Sequence, residues 1–236
     1  MAQADQVASA KPVPLTINGQ KVEASAGMTV LEAAKAAGID IPTMCYHAKL
    51  SGYGACRLCV VEIVKGKRSR IVVSCLYPVE EGLEVQTESE RVVRHRKMIL
   101  ELMLARWPRV DRKLLEKYGV EKSRFDENTT FCILCGLCVR YCTEVKKQNV
   151  LGFIGRGTQR QVVIYPELAA KACPECDGGK MECVQVCPTG VIPNDFAVSS
   201  ILQQKKPLAF PVRMRDDENA RRVDEHVGNV ERKKKS

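Results

Sequence analysis

The stretch Cys132-Ile-Leu-Cys135-Gly-Leu-Cys138-Val-Arg-Tyr-Cys142 spaces four thiols as Cys-x2-Cys-x2-Cys-x3-Cys. Downstream, Cys173, Cys176, Cys183 and Cys187 repeat the run with the middle gap stretched to six residues, and Pro188 follows the last of them. The stretched gap, Asp177 to Glu182, holds Gly178-Gly179, a pair free to bulge so that the third thiol of the half can still come back to its partners. In all, 12 cysteines stand among 236 residues, against three histidines and one tryptophan. The first 15 residues have Asp5, no basic start and no apolar run, so no secretory leader is expected there. A cytoplasmic interior follows as the expected compartment, and thiols kept reduced there are poor disulfide candidates and good metal or redox ligands.

The segments upstream differ in kind. Asp126 to Thr130 is a polar linker, and before it Ser89 to Tyr118 places Val92, Val93, Met98, Ile99, Leu102 and Met103 near a 3.6-residue period, stopped by Pro108. That helical block carries no cysteine. Residues 12–88 open with Val13, Leu15 and Ile17 in alternation, turn at Asn18-Gly19 and resume with Val22, a two-residue hairpin signature. Thr29 reads as the N-cap of a short helix with Gly38 past its end; Val60 to Val64, Ile71 to Val73 and Leu83 with Val85 read as further strands. Strands around one helix in under 80 residues is a β-grasp pattern. Into it are set Cys45, Cys56, Cys59 and Cys75, with ten, two and fifteen residues between them and Gly52, Gly54 and Ala55 in the loop. Small residues there let backbone amides approach sulfur.

The Cys132 to Cys142 run has the spacing of bacterial ferredoxins, and Cys187-Pro188-Thr189-Gly190 is ferredoxin-like. The ten-residue gap, the Ala55-Cys-Arg-Leu-Cys59 core and the β-grasp pattern resemble the [2Fe-2S] domain that opens the large iron-sulfur subunit of respiratory complex I. The same domain opens [FeFe] hydrogenases and the HoxU-type subunit of soluble NAD-linked hydrogenases. The resemblance covers residues 13 to about 196. It implies an α+β chain with a β-grasp [2Fe-2S] domain at 12–88, a helical connector at 89–125, a two-[4Fe-4S] ferredoxin-like domain at 126–200 and a charged tail at 201–236. One [2Fe-2S] cluster would be held by Cys45, Cys56, Cys59 and Cys75. By the ferredoxin topology, Cys132, Cys135, Cys138 and Cys187 would hold one [4Fe-4S] cluster and Cys142, Cys173, Cys176 and Cys183 the other. Spacing alone equally allows each run to close on itself.

The family's further His-x3-Cys-x2-Cys-x5-Cys cluster motif is missing: Trp107 stands where its histidine would fall, and no cysteine lies between Trp107 and Cys132. His47 and His95 are read as packing or surface residues. The implied role is a non-catalytic electron-transfer subunit between a flavin- and NAD(P)-binding diaphorase subunit and a catalytic subunit such as a hydrogenase, formate dehydrogenase or other low-potential reductase. No flavin or nucleotide is expected on this chain, since no Gly-x-Gly-x-x-Gly follows a strand; Gly152, Gly155 and Gly157 read as a turn. Two rivals are an iron-sulfur subunit of the succinate dehydrogenase or fumarate reductase type, against which the ten-residue first gap counts, and a zinc-dependent binding or scaffold protein using the basic helices.

The formal charge is +9, and Arg91 to Arg124 holds eleven Lys/Arg against four Asp/Glu, a net of +7. Without interleaved aromatics or a DNA-binding motif this is no nucleic-acid surface; it reads as a solvated helix face, a source of field or a contact for an acidic partner. Three four-thiolate clusters of about −2 each would offset about 6 of the 9 positive charges. No apolar run approaches the roughly 20 residues of a membrane span.

Overall fold

The protein is described from a computed structural model over residues 12–127, 130–173, 176, 182–190 and 208–209. Alternation builds the first sheet. Strand β1 (Pro12–Ile17) turns Leu15 and Ile17 inward, and β2 (Gln20–Ser25) turns in Val22 and Ala24. Between them Asn18 (φ 51°) and Gly19 (φ 80°) both take positive φ, the type I′ geometry that matches strand twist. Asn18 also clamps a distant strand end: its amide donates to Thr87 Oγ1 at 2.8 Å and its Oδ1 accepts from Thr87 N–H at 2.8 Å.

Helix α1 (Val30–Ala36) starts on a complete capping box, in which Thr29 Oγ1 accepts from Glu32 N–H and Glu32 accepts from Thr29 N–H at 2.8 Å. Its Val30, Leu31, Ala33 and Ala34 are all buried. Strands β3 (Val60–Lys65), β4 (Arg68–Val73) and β5 (Leu83–Gln86) complete a five-stranded sheet in the order β2-β1-β5-β3-β4, with β1 and β5 parallel and the other pairs antiparallel. Leu15, Ile17, Val61, Ile63 and Val85 join α1 in one apolar core, the arrangement a β-grasp requires. Strand β4 begins earlier than its apolar residues indicate, because the turn at Gly66 (φ 60°) sets Arg68 opposite Lys65 and carries polar residues into the edge ladder.

Helix α2 (Glu90–Arg106) and helix α3 (Arg112–Lys117, N-capped by Asp111) follow. The basic residues here are not all on a solvated face, as the sequence reading has it: Arg96 is fully buried. Two compact units result, Met1–Leu104 with Val110–Phe125, and Ala105–Arg109 with Asp126–Ser236.

In the second unit, α4 (Leu137–Arg140) runs into a wide turn, Tyr141–Val145, closed by Lys146 N–H on Tyr141 O five residues back at 3.1 Å. Strands β6 (Leu151–Ile154) and β7 (Gln161–Ile164) pair antiparallel, followed by α5 (Pro166–Ala172) and α6 (Glu182–Gln185). Gly152 therefore belongs to a strand and not to a turn; a Cβ there would lie 2.9 Å from the outer end of the exposed Tyr165 ring, which would have to shift. Gly155 (φ 71°) does form a turn, folded tightly on Gln159 O. A two-residue strand, β8 (Leu208–Ala209), adds to β7 inside the segment expected to be charged tail. The remainder of that tail, and Gly178-Gly179 of the stretched gap, lie outside the described residues.

Candidate metal centres

All 12 cysteines are free thiols. In the first unit, Cys56 and Cys59 sit just before β3 and Cys75 just after β4, and the pairing of Val60 with Val73 brings the two ends together. Ser74 locks the junction, its N–H and hydroxyl both donating to Cys59 O, at 3.2 and 2.7 Å. Cys45 arrives from the loop after α1, and its sulfur accepts from Cys56 N–H at 3.3 Å. All four thiols are buried and act on one another. Cys56 is drawn down to about 6, first by the Cys45 thiol and then, against burial, by the N–H groups of Leu58, Met44 and Cys45. Cys59 is drawn down to about 7, chiefly by the Cys75 thiol, with Cys75 N–H and Ser74 assisting. Cys45 and Cys75, which donate those bonds, are pushed up, and burial adds to it.

Two backbone features make this possible. Arg57, between Cys56 and Leu58, takes the left-handed conformation (φ 59°), which turns Leu58 N–H toward the Cys56 sulfur. Held without glycine, such a residue costs about 1–2 kcal/mol. A Cβ on Gly52 would meet Cys75 O at 2.8 Å and one on Gly54 would meet Leu76 Cδ1 at 2.6 Å, so both glycines let the loop close over the fourth ligand. Four buried reduced thiols, two of them favouring thiolate, with N–H donors on the sulfurs, fit a four-thiolate iron-sulfur core.

In the second unit Cys132-Ile-Leu-Cys135 has a donor at the same spacing: the N–H of Leu134 lies on Cys132, as that of Leu58 does on Cys56, but here the donor residue itself takes the positive φ, 54°. Gly136 (φ 75°) then opens α4, which carries Cys138, and Cys142 falls in the wide turn, where Val150 N–H donates to its sulfur at 3.3 Å. The two runs approach each other crosswise. Cys187 acts electrostatically on both Cys132 and Cys138, and Cys142 acts on Cys173. Cys183 is felt, more weakly, at Cys138, and Cys176 at Cys173. Burial is the main cause that raises Cys132, Cys138 and Cys173, the last to about 11. Glu182, one residue before Cys183, ties the halves: it accepts from Tyr141 O–H at 2.5 Å and pairs with Lys146 at 3.0 Å. Arg106 donates to Thr130 Oγ1 at 2.8 Å, and that hydroxyl donates to Cys132 O at 3.3 Å. Thiols of the two runs that act on one another, with backbone donors at Cys132 and Cys142, fit a ferredoxin-like domain.

His47 Nδ1 accepts from Lys49 N–H, and His95 Nδ1 lies 2.7 Å from Arg91 O, so each histidine makes a local bond. The supporting residues escaped the sequence reading. Arg96 left a signal, since it interrupts the fully buried Val92 and Leu100 at helical spacing. The Val150 N–H left none, because any residue but proline supplies one.

Residues 10–90 match the 2Fe-2S iron-sulfur cluster binding domain family, and residues 124–193 match the ferredoxin-like domain of NADH-quinone oxidoreductase subunit 3. The solved structure of an NAD+-reducing [NiFe]-hydrogenase in its H2-reduced state is 31% identical with a TM-score of 0.57, covering 64% of this chain and 74% of that one. The chain belongs to the iron-sulfur subunit family shared by complex I and the NAD+-reducing hydrogenases. Curated members include the mitochondrial 78 kDa subunits of NADH-ubiquinone oxidoreductase from Candida albicans, 29% identical over 231 residues, and from Neurospora crassa, 30% identical over 231 residues. Each match takes in 85% of this chain, but the chain spans only 29% and 28% of those two relatives. As in the family, a 2Fe-2S domain precedes a ferredoxin-like domain in a mixed α+β chain. Among the described residues no helix is long and apolar enough to cross a membrane.

Proposed function

We propose that this chain is a non-catalytic subunit that passes single electrons through one [2Fe-2S] and two [4Fe-4S] clusters, in a cytoplasmic complex, between a flavin- and NAD(P)-binding subunit and a catalytic subunit. Cys45, Cys56, Cys59 and Cys75 hold the [2Fe-2S] cluster; Cys132, Cys135, Cys138 and Cys187 hold one [4Fe-4S] cluster, and Cys142, Cys173, Cys176 and Cys183 the other. The observation that carries the reading is the crossed approach of Cys187 to Cys132 and Cys138 and of Cys142 to Cys173. Iron-sulfur clusters supply one-electron redox chemistry when bound. The chain's own residues hold the thiolates in order, bury or half-bury them, and set N–H donors against the negative charge on sulfur, as Cys56 N–H does on Cys45 and Val150 N–H on Cys142. No general acid, base or nucleophile is needed among them.

Anaerobic purification with iron, sulfide and zinc analysis and EPR of the reduced protein tests the cofactors; trace iron with stoichiometric zinc overturns the reading. The ligand sets are tested by removing Cys132 and Cys187 together. Crossed sets lose one cluster, about four irons, whereas runs that close on themselves lose two, about eight. Purification of the native complex identifies the partners.

A further inference from the structure

Arg96 is fully buried on α2, and every nitrogen of its guanidinium is used. Nε donates to Leu58 O at 3.1 Å and Nη2 to Val60 O at 2.8 Å; Nη1 donates to Glu88 at 2.9 Å and to Tyr118 O–H at 2.6 Å. Leu58 and Val60 are the two neighbours of Cys59. We propose that Arg96 positions the Cys56-to-Cys59 ligand loop and raises the reduction potential of the [2Fe-2S] cluster, an inference that rests on the assignment of that cluster to Cys45, Cys56, Cys59 and Cys75.

Position comes first. With both carbonyls flanking Cys59 turned into one guanidinium, those two peptide planes cannot rotate without breaking a bond. Leu58 links the two sides, for its carbonyl accepts from Arg96 while its N–H lies on the Cys56 sulfur. The planar fork of arginine spans two carbonyls, a carboxylate and a hydroxyl together, which the point charge of a lysine cannot do.

Charge follows from the same geometry. A four-thiolate cluster is anionic and gains one more negative charge on reduction, so a fixed buried cation behind the ligand loop favours the reduced form. The counter-charge does not cancel it. Glu88 reaches solvent with 39% of its side chain and is shared with Lys117 at 3.0 Å, so the group of Arg96, Lys117 and Glu88 carries a net positive charge whose buried member faces the loop.

The test is an EPR-monitored redox titration of the [2Fe-2S] signal in the full chain, purified anaerobically, as wild type, Arg96→Gln, Arg96→Lys and Glu88→Gln. Arg96→Gln shifts the balance toward the oxidised cluster by about tenfold, 59 mV downward for a one-electron couple. Glu88→Gln moves the midpoint upward, because it removes the partial counter-charge and keeps the loop bonds; Arg96→Lys, which keeps the charge but cannot span both carbonyls, leaves the midpoint above that of Arg96→Gln and lowers the [2Fe-2S] spin count. A purely structural arginine gives no upward shift in Glu88→Gln, and this variant decides the matter if Arg96→Gln does not fold. An unmoved midpoint in Arg96→Gln with an intact signal, or a downward shift in Glu88→Gln, overturns the proposal. A wild-type chain with no [2Fe-2S] signal overturns the cluster assignment instead, and the inference with it.

Discussion

The two halves of this chain solve one problem, holding anionic sulfur inside protein, on different supports. In the first, a sheet and a helix with their own apolar core deliver four buried thiols to one end of a hairpin, and Cys56 and Cys59 are drawn down to about 6 and 7 by Cys45 and Cys75, which are themselves pushed up. In the second, burial pushes Cys132, Cys138 and Cys173 up, the last to about 11, and the thiols sit on short helices and turns tied by Tyr141, Lys146 and Glu182. The first unit sets its thiols against an apolar core built by a sheet and a helix, whereas the second sets them on short helices and turns with fewer elements to hold them. Metal binding in the second unit is therefore expected to be coupled to its folding.

The largest expected effect tests that contrast directly. Removing iron with a chelator abolishes amide-exchange protection in α4, α5 and the β6–β7 pair while β1 to β5 stay protected. Simultaneous loss in both units breaks the comparison. Next comes Gly52→Ala, whose Cβ would press on Cys75 O at 2.8 Å. It lowers [2Fe-2S] occupancy severalfold by EPR spin count and leaves the [4Fe-4S] signals at full strength.

A smaller effect concerns the join between β3 and α2. The Glu62 carboxyl is held below its ordinary value by bonds from Ser69, Ser89 and Arg91. A carboxyl depressed in the fold contributes stability that is present above its ordinary value of about 4 and is lost as pH falls from there through its lowered value in the fold. Glu62→Gln therefore costs about 1–2 kcal/mol in urea unfolding near neutrality, and the difference from wild type shrinks in acid. A difference that holds constant across pH sinks this account. Smallest is Gly19→Ala at φ 80°, about 1 kcal/mol of first-unit stability with no change in any cluster potential.

Much of the first unit was legible in the chain because its signals are local. Asn18-Gly19 specifies its turn through φ alone, Thr29 and Glu32 make their box within four residues, and alternation marks the inward faces of β1 and β2. The misreadings share a cause. Gly152 looked like a turn residue because its place in β6 is set only by pairing with Val163 of β7. Arg96 counted as surface charge because a cation in an apolar stripe has no partner until the start of β3 is folded against it.

The sequence by itself determined which atoms can bind metal and how they are grouped along the chain, since ligand spacing is a covalent property and twelve reduced thiols admit few chemistries. Only the tertiary structure decided which thiols meet, which peptide N–H groups face them and where charge is buried beside them. Those depend on pairings between segments far apart in the chain, such as Val60 with Val73 or Arg96 with Leu58, whose energies are fixed by burial and geometry that no local stretch of residues encodes.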